Sequence, residues 1–134
     1  MSETVTVGIV LISHSRVLAE GAADVAGQVS AGGVRIVGVG GTEDGRLGTS
    51  ADALAAAVEK VWGEAGVLVI PDLGSSVLTA RAFLAEDGDR GFPVRLADAP
   101  FVEGAVAAAV AASSGASLDE VLAAAQEARD VRKL

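Results

Sequence analysis

The sequence predicts an α/β fold: a mainly parallel open sheet with helices on both faces. Three observations lead there. Short apolar runs alternate with longer helical patterns along the 134 residues, the order that right-handed crossovers between parallel strands require. The strand segments are almost continuously apolar and β-branched, as strands covered on both faces must be. Aromatics make up 3% of a chain that is 51% hydrophobic, and Tyr is absent, so the core is built from Val, Leu, Ile and Ala in tight layers. With no linker-like stretch, residues 1–134 are expected to form one domain.

The first strand is expected over Val5 to Ile12 and ends at Ser13-His14-Ser15. A helix follows, with Val17, Leu18, Ala22, Val25 and Val29 spaced for one apolar face and Gly32-Gly33 ending it. Val34 to Val39 reads as the second strand. The segment Gly40 to Gly48 holds four glycines and reads as a loop, with Glu43-Asp44 as a turn. Thr49 and Asp52 resemble a capping box that opens a helix through Trp62. Val67 to Ile70 is the third strand, ending at Pro71-Asp72-Leu73-Gly74-Ser75-Ser76. A third helix runs to about Ala85, and Pro93 to Leu96 makes a short strand. A helix rich in small residues spans Phe101 to about Ala112, and the residues around Val106 to Ala112 suggest a surface for a second copy. Ser117 and Glu120 form another capping box, opening a final helix to about Asp130.

Composition narrows the function classes. A formal net charge of -8 opposes nucleic-acid binding, which draws on clustered Lys and Arg. It suits a basic protein partner. The absence of Cys excludes thiolate chemistry and disulfides, and fits a reducing cytoplasm. No basic n-region precedes an apolar segment, so no signal peptide is expected. The apolar run from Phe101 to Ala112 contains Glu103 and falls short of the roughly 20 residues that span a bilayer. The expectation is a cytoplasmic protein without nucleic-acid or membrane partners.

In a parallel sheet the loops leaving the strands share one edge, where sites form, above all where strand order reverses. Three such loops carry Ser13-His14-Ser15, the glycine-rich Gly40 to Ser50 segment, and Asp72 to Ser76. His14 is the only histidine, and a neutral imidazole is a good nucleophile toward phosphorus. Asp72, closing another strand, is placed to accept the proton of one ring nitrogen and fix the tautomer. Backbone amides at the helix starts, with hydroxyls of Ser15, Thr49, Ser50 and Ser75, then cradle an oxyanion. Arg16 adds charge compensation. Taken singly, each has a plainer reading: Asp72, Thr49, Ser50 and Ser75 as caps or turn formers, Arg16 as a solvated helix side chain.

Competing motifs fail on particular positions. A dinucleotide loop built on Gly38, Gly40 and Gly41 places its third glycine at Glu43 and follows the wrong strand. Gly40 and Gly45 have P-loop spacing, but Arg46-Leu47 stands where Lys-Ser/Thr binds phosphate and magnesium. No G-x-S-x-G elbow supports a serine hydrolase. Three classes stay open: a phosphotransfer protein, an interaction or sensor module with His14 as a regulated phosphosite, and a small hydrolase with His14 as general base.

Gly8-Ile9-Val10-Leu11-Ile12-Ser13-His14-Ser15, Leu18-Ala19-Glu20-Gly21, the Gly40 to Ser50 segment, and Gly66 to Ser75 together resemble one family. It is the phosphoryl-donor subunit family, often called DhaM, of phosphoenolpyruvate-dependent dihydroxyacetone kinase, whose N-terminal domain has the mannose-type phosphotransferase IIA fold. The resemblance covers nearly the whole chain. It implies a homodimer, with His14 as the phosphate-carrying residue in a covalent phosphohistidine intermediate and Asp72 as its orienting aspartate; no bound cofactor is implied. It implies HPr as phosphoryl donor, itself charged by enzyme I, and ADP on the kinase subunit as acceptor. Because the sequence stops at Leu134, that donor is expected to be a separate protein. The alternative is a IIA component of a mannose-type sugar transporter, which hands phosphate to a IIB partner. That version resembles a His-Gly pair in the first loop and Gly-Gly-Ser-Pro after the aspartate, neither of which stands here. Ser76-Val77-Leu78-Thr79 departs from the family pattern, which resembles Ala and later Asn in this stretch.

Overall fold

The computed structural model describes residues 6–42, 48–87 and 90–134. Along these residues run β1 (Gly8–Ser13), α1 (Arg16–Val29), β2 (Ile36–Gly40), α2 (Ala51–Lys60), β3 (Val67–Pro71), α3 (Gly74–Asp87), β4 (Val94–Leu96), α4 (Phe101–Ser113) and α5 (Leu118–Glu127), then a 3-10 turn, Ala128–Asp130. The strands pair in the order β2-β1-β3-β4, every pair parallel. Helices cover both faces, as the alternation of elements predicts. Val5 and Glu43 to Leu47, parts of the expected first strand and glycine-rich loop, lie outside the described residues.

Successive side chains of a strand point to opposite faces. Ile9 and Leu11 of β1, with Leu68 and Ile70 of β3, meet Ala22 and Ala26 of α1, four alanines of α4, and Val121 and Ala125 of α5. Val10, Ile12, Val67 and Val69 point the other way, onto Leu54, Ala57 and Val58 of α2 and Ala80 and Phe83 of α3. All six residues of β1 are buried, which explains the unbroken apolar run up to Ile12.

Helix α1 forms where expected, but of the expected apolar face only Ala22 is buried, and the stripe turned to the sheet is rotated toward Ala19 and Ala26. Ala19, Ala22 and Ala26 are buried, while Val17, Leu18, Val25 and Val29 are exposed by 77%, 46%, 47% and 57%. On this side β2 comes close to α1 and to the turn before it. A Cβ at Gly38 would stand 2.4 Å from the Ala19 carbonyl oxygen, and one at Gly40 would stand 2.6 Å from that of Ser13. The α1 backbone at Ala19 thus lies directly against the bare strand at Gly38, where no side chain larger than a hydrogen fits.

Other expectations shift by less. Ser50, not Thr49, caps α2, its hydroxyl accepting from the Ala53 N–H at 3.2 Å. The Thr49 hydroxyl is instead engaged with that of Thr79 at 2.6 Å. Helix α2 stops at Lys60, short of Trp62, because the chain must turn through Gly63 and Gly66 (φ 98°) to enter β3. Ala105, Ala108, Ala109 and Ala112 of α4 are fully buried within the chain, so that small-residue face is unavailable to a second copy. Ser117 and Glu120 do form a reciprocal capping box.

Candidate functional site

β1 and β3 are direct neighbours, with Ile12 opposite Pro71. The residues that leave those two strand ends therefore emerge side by side. β2 lies on one side of β1 and β3 on the other, so the chain reverses direction across the sheet here and the departing loops part into a crevice. His14 stands at the mouth of it, just before α1, and Asp72 just before α3. Both helices point their N-termini, with unpaired N–H groups and the positive end of the dipole, toward the same place.

The Nδ1 atom of His14 lies 3.0 Å from Oδ1 of Asp72. That oxygen also accepts from the Leu73 N–H at 2.6 Å and from the Ser76 hydroxyl at 2.7 Å. The other oxygen, Oδ2, accepts from the Ser13 hydroxyl at 2.7 Å and from the His14 N–H at 3.2 Å. Burial by itself raises the Asp72 carboxyl, but hydrogen bonds from Ser13, Ser76, the Leu73 N–H and His14 outweigh it and lower its pKa from 3.8 to about 2. An ionised carboxylate only accepts, so in the neutral ring Nδ1 carries the proton and Nε2 presents its lone pair.

Nε2 faces the Ser75 hydroxyl, whose N–H lies in the first turn of α3. The His14 side chain is 28% exposed and that of Asp72 7%: the ring reaches solvent while its partner is shielded. Ser50 caps α2, as its plainer reading has it, and Ser15 also serves as a cap, of α1, accepting from the Leu18 N–H at 3.3 Å. Their hydroxyl protons remain to be donated. The Gly48 N–H bonds the His14 carbonyl at 3.0 Å, which lays the second loop against the histidine. Thr49 sits between that loop and α3, bonded to Thr79 and within 3.5 Å of the Ser75 carbonyl. Arg16 is exposed at the first position of α1.

Three side chains of this site were given no role from sequence: Ser13, Ser76 and Thr79. Ser76 carried a signal. A hydroxyl four residues beyond an aspartate, in the first turn of a helix, is poised to bond back to it. Ser13 had none, since its partner is 59 residues away.

Residues 8–122 match the family model for EIIA-man, the PTS system fructose IIA component. The chain belongs to the EIIA-man family. Among curated relatives, the phosphoryl donor subunit DhaM of PEP-dependent dihydroxyacetone kinase from Providencia stuartii is 36% identical over 131 residues, 95% of this chain and 28% of that protein. The corresponding Escherichia coli subunit is also 36% identical, with the same coverage. Against those two, the chain spans little more than a quarter of the relative's length. A DhaM subunit of the dihydroxyacetone kinase 2 of Listeria innocua is 34% identical, covering 87% of this chain and 94% of the relative. A solved structure of a protein of unknown function is 33% identical with a TM-score of 0.78, covering 91% of this chain and 94% of that one. A sigma-54 interaction domain protein from Enterococcus faecalis shares the fold at 15% identity and a TM-score of 0.68. Membership of the EIIA-man family and the strong likeness to DhaM support a phosphotransfer function in general terms. Among the described residues, no helix is long and apolar enough to cross a membrane.

Proposed function

We propose that this chain accepts a phosphoryl group on Nε2 of His14 from HPr and passes it to ADP held on the kinase subunit of a dihydroxyacetone kinase. The observation that carries the reading is the 3.0 Å approach of His14 Nδ1 to Asp72 Oδ1, which leaves Nε2 as the nucleophile at the open mouth. The Nε2 lone pair forms a bond to phosphorus as the N–P bond of the donor's phosphohistidine breaks, and that donor ring takes the electron pair. The His14 ring becomes cationic, and Asp72, held ionised, stabilises it. Ser15, Ser50, Ser75 and the first-turn N–H groups of α1 and α3 then cradle the phosphoryl oxygens, with Thr49 holding the second loop against α3. In the onward step the N–P bond breaks and an ADP β-phosphate oxygen takes the phosphorus, giving ATP.

A second reading, a transporter IIA component donating to a IIB protein, is favoured by the description of the matched family as a fructose IIA component. The likeness to DhaM subunits, together with serines on both sides of His14 and Leu-Gly-Ser-Ser after Asp72, supports the kinase subunit instead. To separate them, His14-phosphorylated protein is mixed with an ADP-loaded kinase subunit and, in parallel, with a IIB protein. The proposal expects ATP. Rapid loss of phosphate to the IIB protein without ATP would reverse it.

The proposal includes a homodimer, implied by the resemblance. Its supporting surface is now α1 rather than α4: Val17, Leu18, Val25 and Val29 form an exposed apolar stripe. Gly21 in its midst has open space around it, room for a second copy of the helix to approach closely.

A further inference from the structure

Asp72 is held by more donors than a bond to His14 requires, and two of them come from fully buried serines. Ser13 and Ser76 are each 0% exposed. Each grips a different carboxylate oxygen at 2.7 Å, Ser13 on Oδ2 and Ser76 on Oδ1. The lone pairs of these hydroxyls are themselves engaged. Ser13 accepts from the Ser15 N–H at 3.0 Å, and Ser76 accepts from the Asp72 and Leu73 N–H groups at 3.1 and 3.2 Å.

The Ser76 proton has two acceptors within reach, Asp72 Oδ1 at 2.7 Å and the Leu73 carbonyl at 2.6 Å. That carbonyl already accepts from the Ser76 and Val77 N–H groups, and a bond to a charged acceptor is the stronger one. The proton therefore goes to Asp72. With one oxygen pinned by Ser13 at the end of β1 and the other by Ser76 in the first turn of α3, the carboxylate cannot rotate without breaking a short bond on a buried group. The titratable group facing Asp72 is His14; the others acting on it are neutral hydroxyls and amides.

We infer that Ser13 and Ser76 are positioning residues, a two-sided clamp that fixes the Asp72 carboxylate so that His14 keeps its proton on Nδ1 and its lone pair on Nε2. The consequence for rate rests on the phosphotransfer reading above. The consequence for the ring does not. Ser76 belongs to the stretch, Ser76-Val77-Leu78-Thr79, that departs from the family pattern.

The test uses the full chain, with Ser13→Ala and Ser76→Ala followed by three measurements: carboxyl-carbon NMR titration of Asp72, nitrogen NMR of the His14 ring, and initial rates of phosphate uptake from phosphorylated HPr. Each substitution is expected to raise the Asp72 midpoint by about one pH unit. The ring spectrum changes from a single Nδ1–H tautomer to a mixture. The kcat of uptake falls roughly 5- to 50-fold with KM for the donor unchanged. Spectra identical to wild type overturn the inference, and so does a lowered rate with unchanged spectra, which would assign the serines to the fold of the turn alone. If both variants fail to fold, the wild-type titration decides: an Asp72 midpoint at its ordinary value removes the clamp. Wild-type protein that takes no phosphate but shows the shifted midpoint and the single tautomer refutes the transfer reading and leaves the clamp standing.

Discussion

Asp72 Oδ1 lies 3.0 Å from His14 Nδ1 although 58 residues separate them in the chain. Two parallel strands that are neighbours in the sheet bring them together, each residue following its strand. If this contact selects the nucleophilic nitrogen, Asp72→Ala slows phosphate uptake by roughly one to three orders of magnitude, as the loss of such an orienting partner does. Circular dichroism of the variant is expected to match wild type. Uptake at the normal rate would remove the orienting role.

The low pKa of Asp72 has a signed effect on stability. Burial raises the carboxyl, the hydrogen bonds from Ser13, Ser76, Leu73 and His14 lower it more, and the folded value of about 2 lies below the unfolded 3.8. The contribution is therefore fully present above 3.8 and is lost as pH falls through 2. Denaturant titrations across that window should show the slope in wild type and a flatter one in Asp72→Asn. Equal slopes would mean that the carboxylate is not held ionised by the fold.

Gly40 ties packing to the site. A Cβ there would meet the Ser13 carbonyl at 2.6 Å and the Ser15 carbonyl at 2.8 Å, so Gly40→Ala must push β2 away from the turn that carries His14. A loss of about 2 kcal/mol is expected from overpacking of this size, together with slower uptake. Chemical denaturation measures the first. Wild-type stability would show that the turn yields freely.

Much of this was legible in the residues. β1 and β3 declare themselves because strands buried on both faces must be apolar throughout, and His14 and Asp72 are conspicuous as polar residues closing them. The facing of α1 was not legible. Its spacing reveals an apolar stripe, but the stripe that meets the sheet is the alanine one, Ala19, Ala22 and Ala26, with the helix backbone at Ala19 set against the bare Gly38 of β2. Thr49 and Ser50 are adjacent hydroxyls with equal claims to the cap, and only the position of Thr79 on α3 separates them. Ser13 was unreadable because a serine's role depends on a partner that folding supplies.

The outward stripe of α1 makes the proposed dimer testable on one residue. Val25 is 47% exposed in the middle of the stripe, so Val25→Asp costs little within one copy and puts a charge into the interface between two. Light scattering at micromolar concentration is expected to give a dimeric mass for wild type and a monomeric mass for the variant. A monomeric wild type would contradict the dimer.

The most direct measurement is phosphate on the histidine. The chain is incubated with HPr, enzyme I and phosphoenolpyruvate, then analysed by intact mass and by phosphorus and nitrogen NMR. The expected result is one phosphoryl group per chain on Nε2 of His14, labile to acid and stable to base, and absent from His14→Ala. A chain that takes up no phosphate under these conditions, or a His14→Ala variant that still takes it up, would contradict the account.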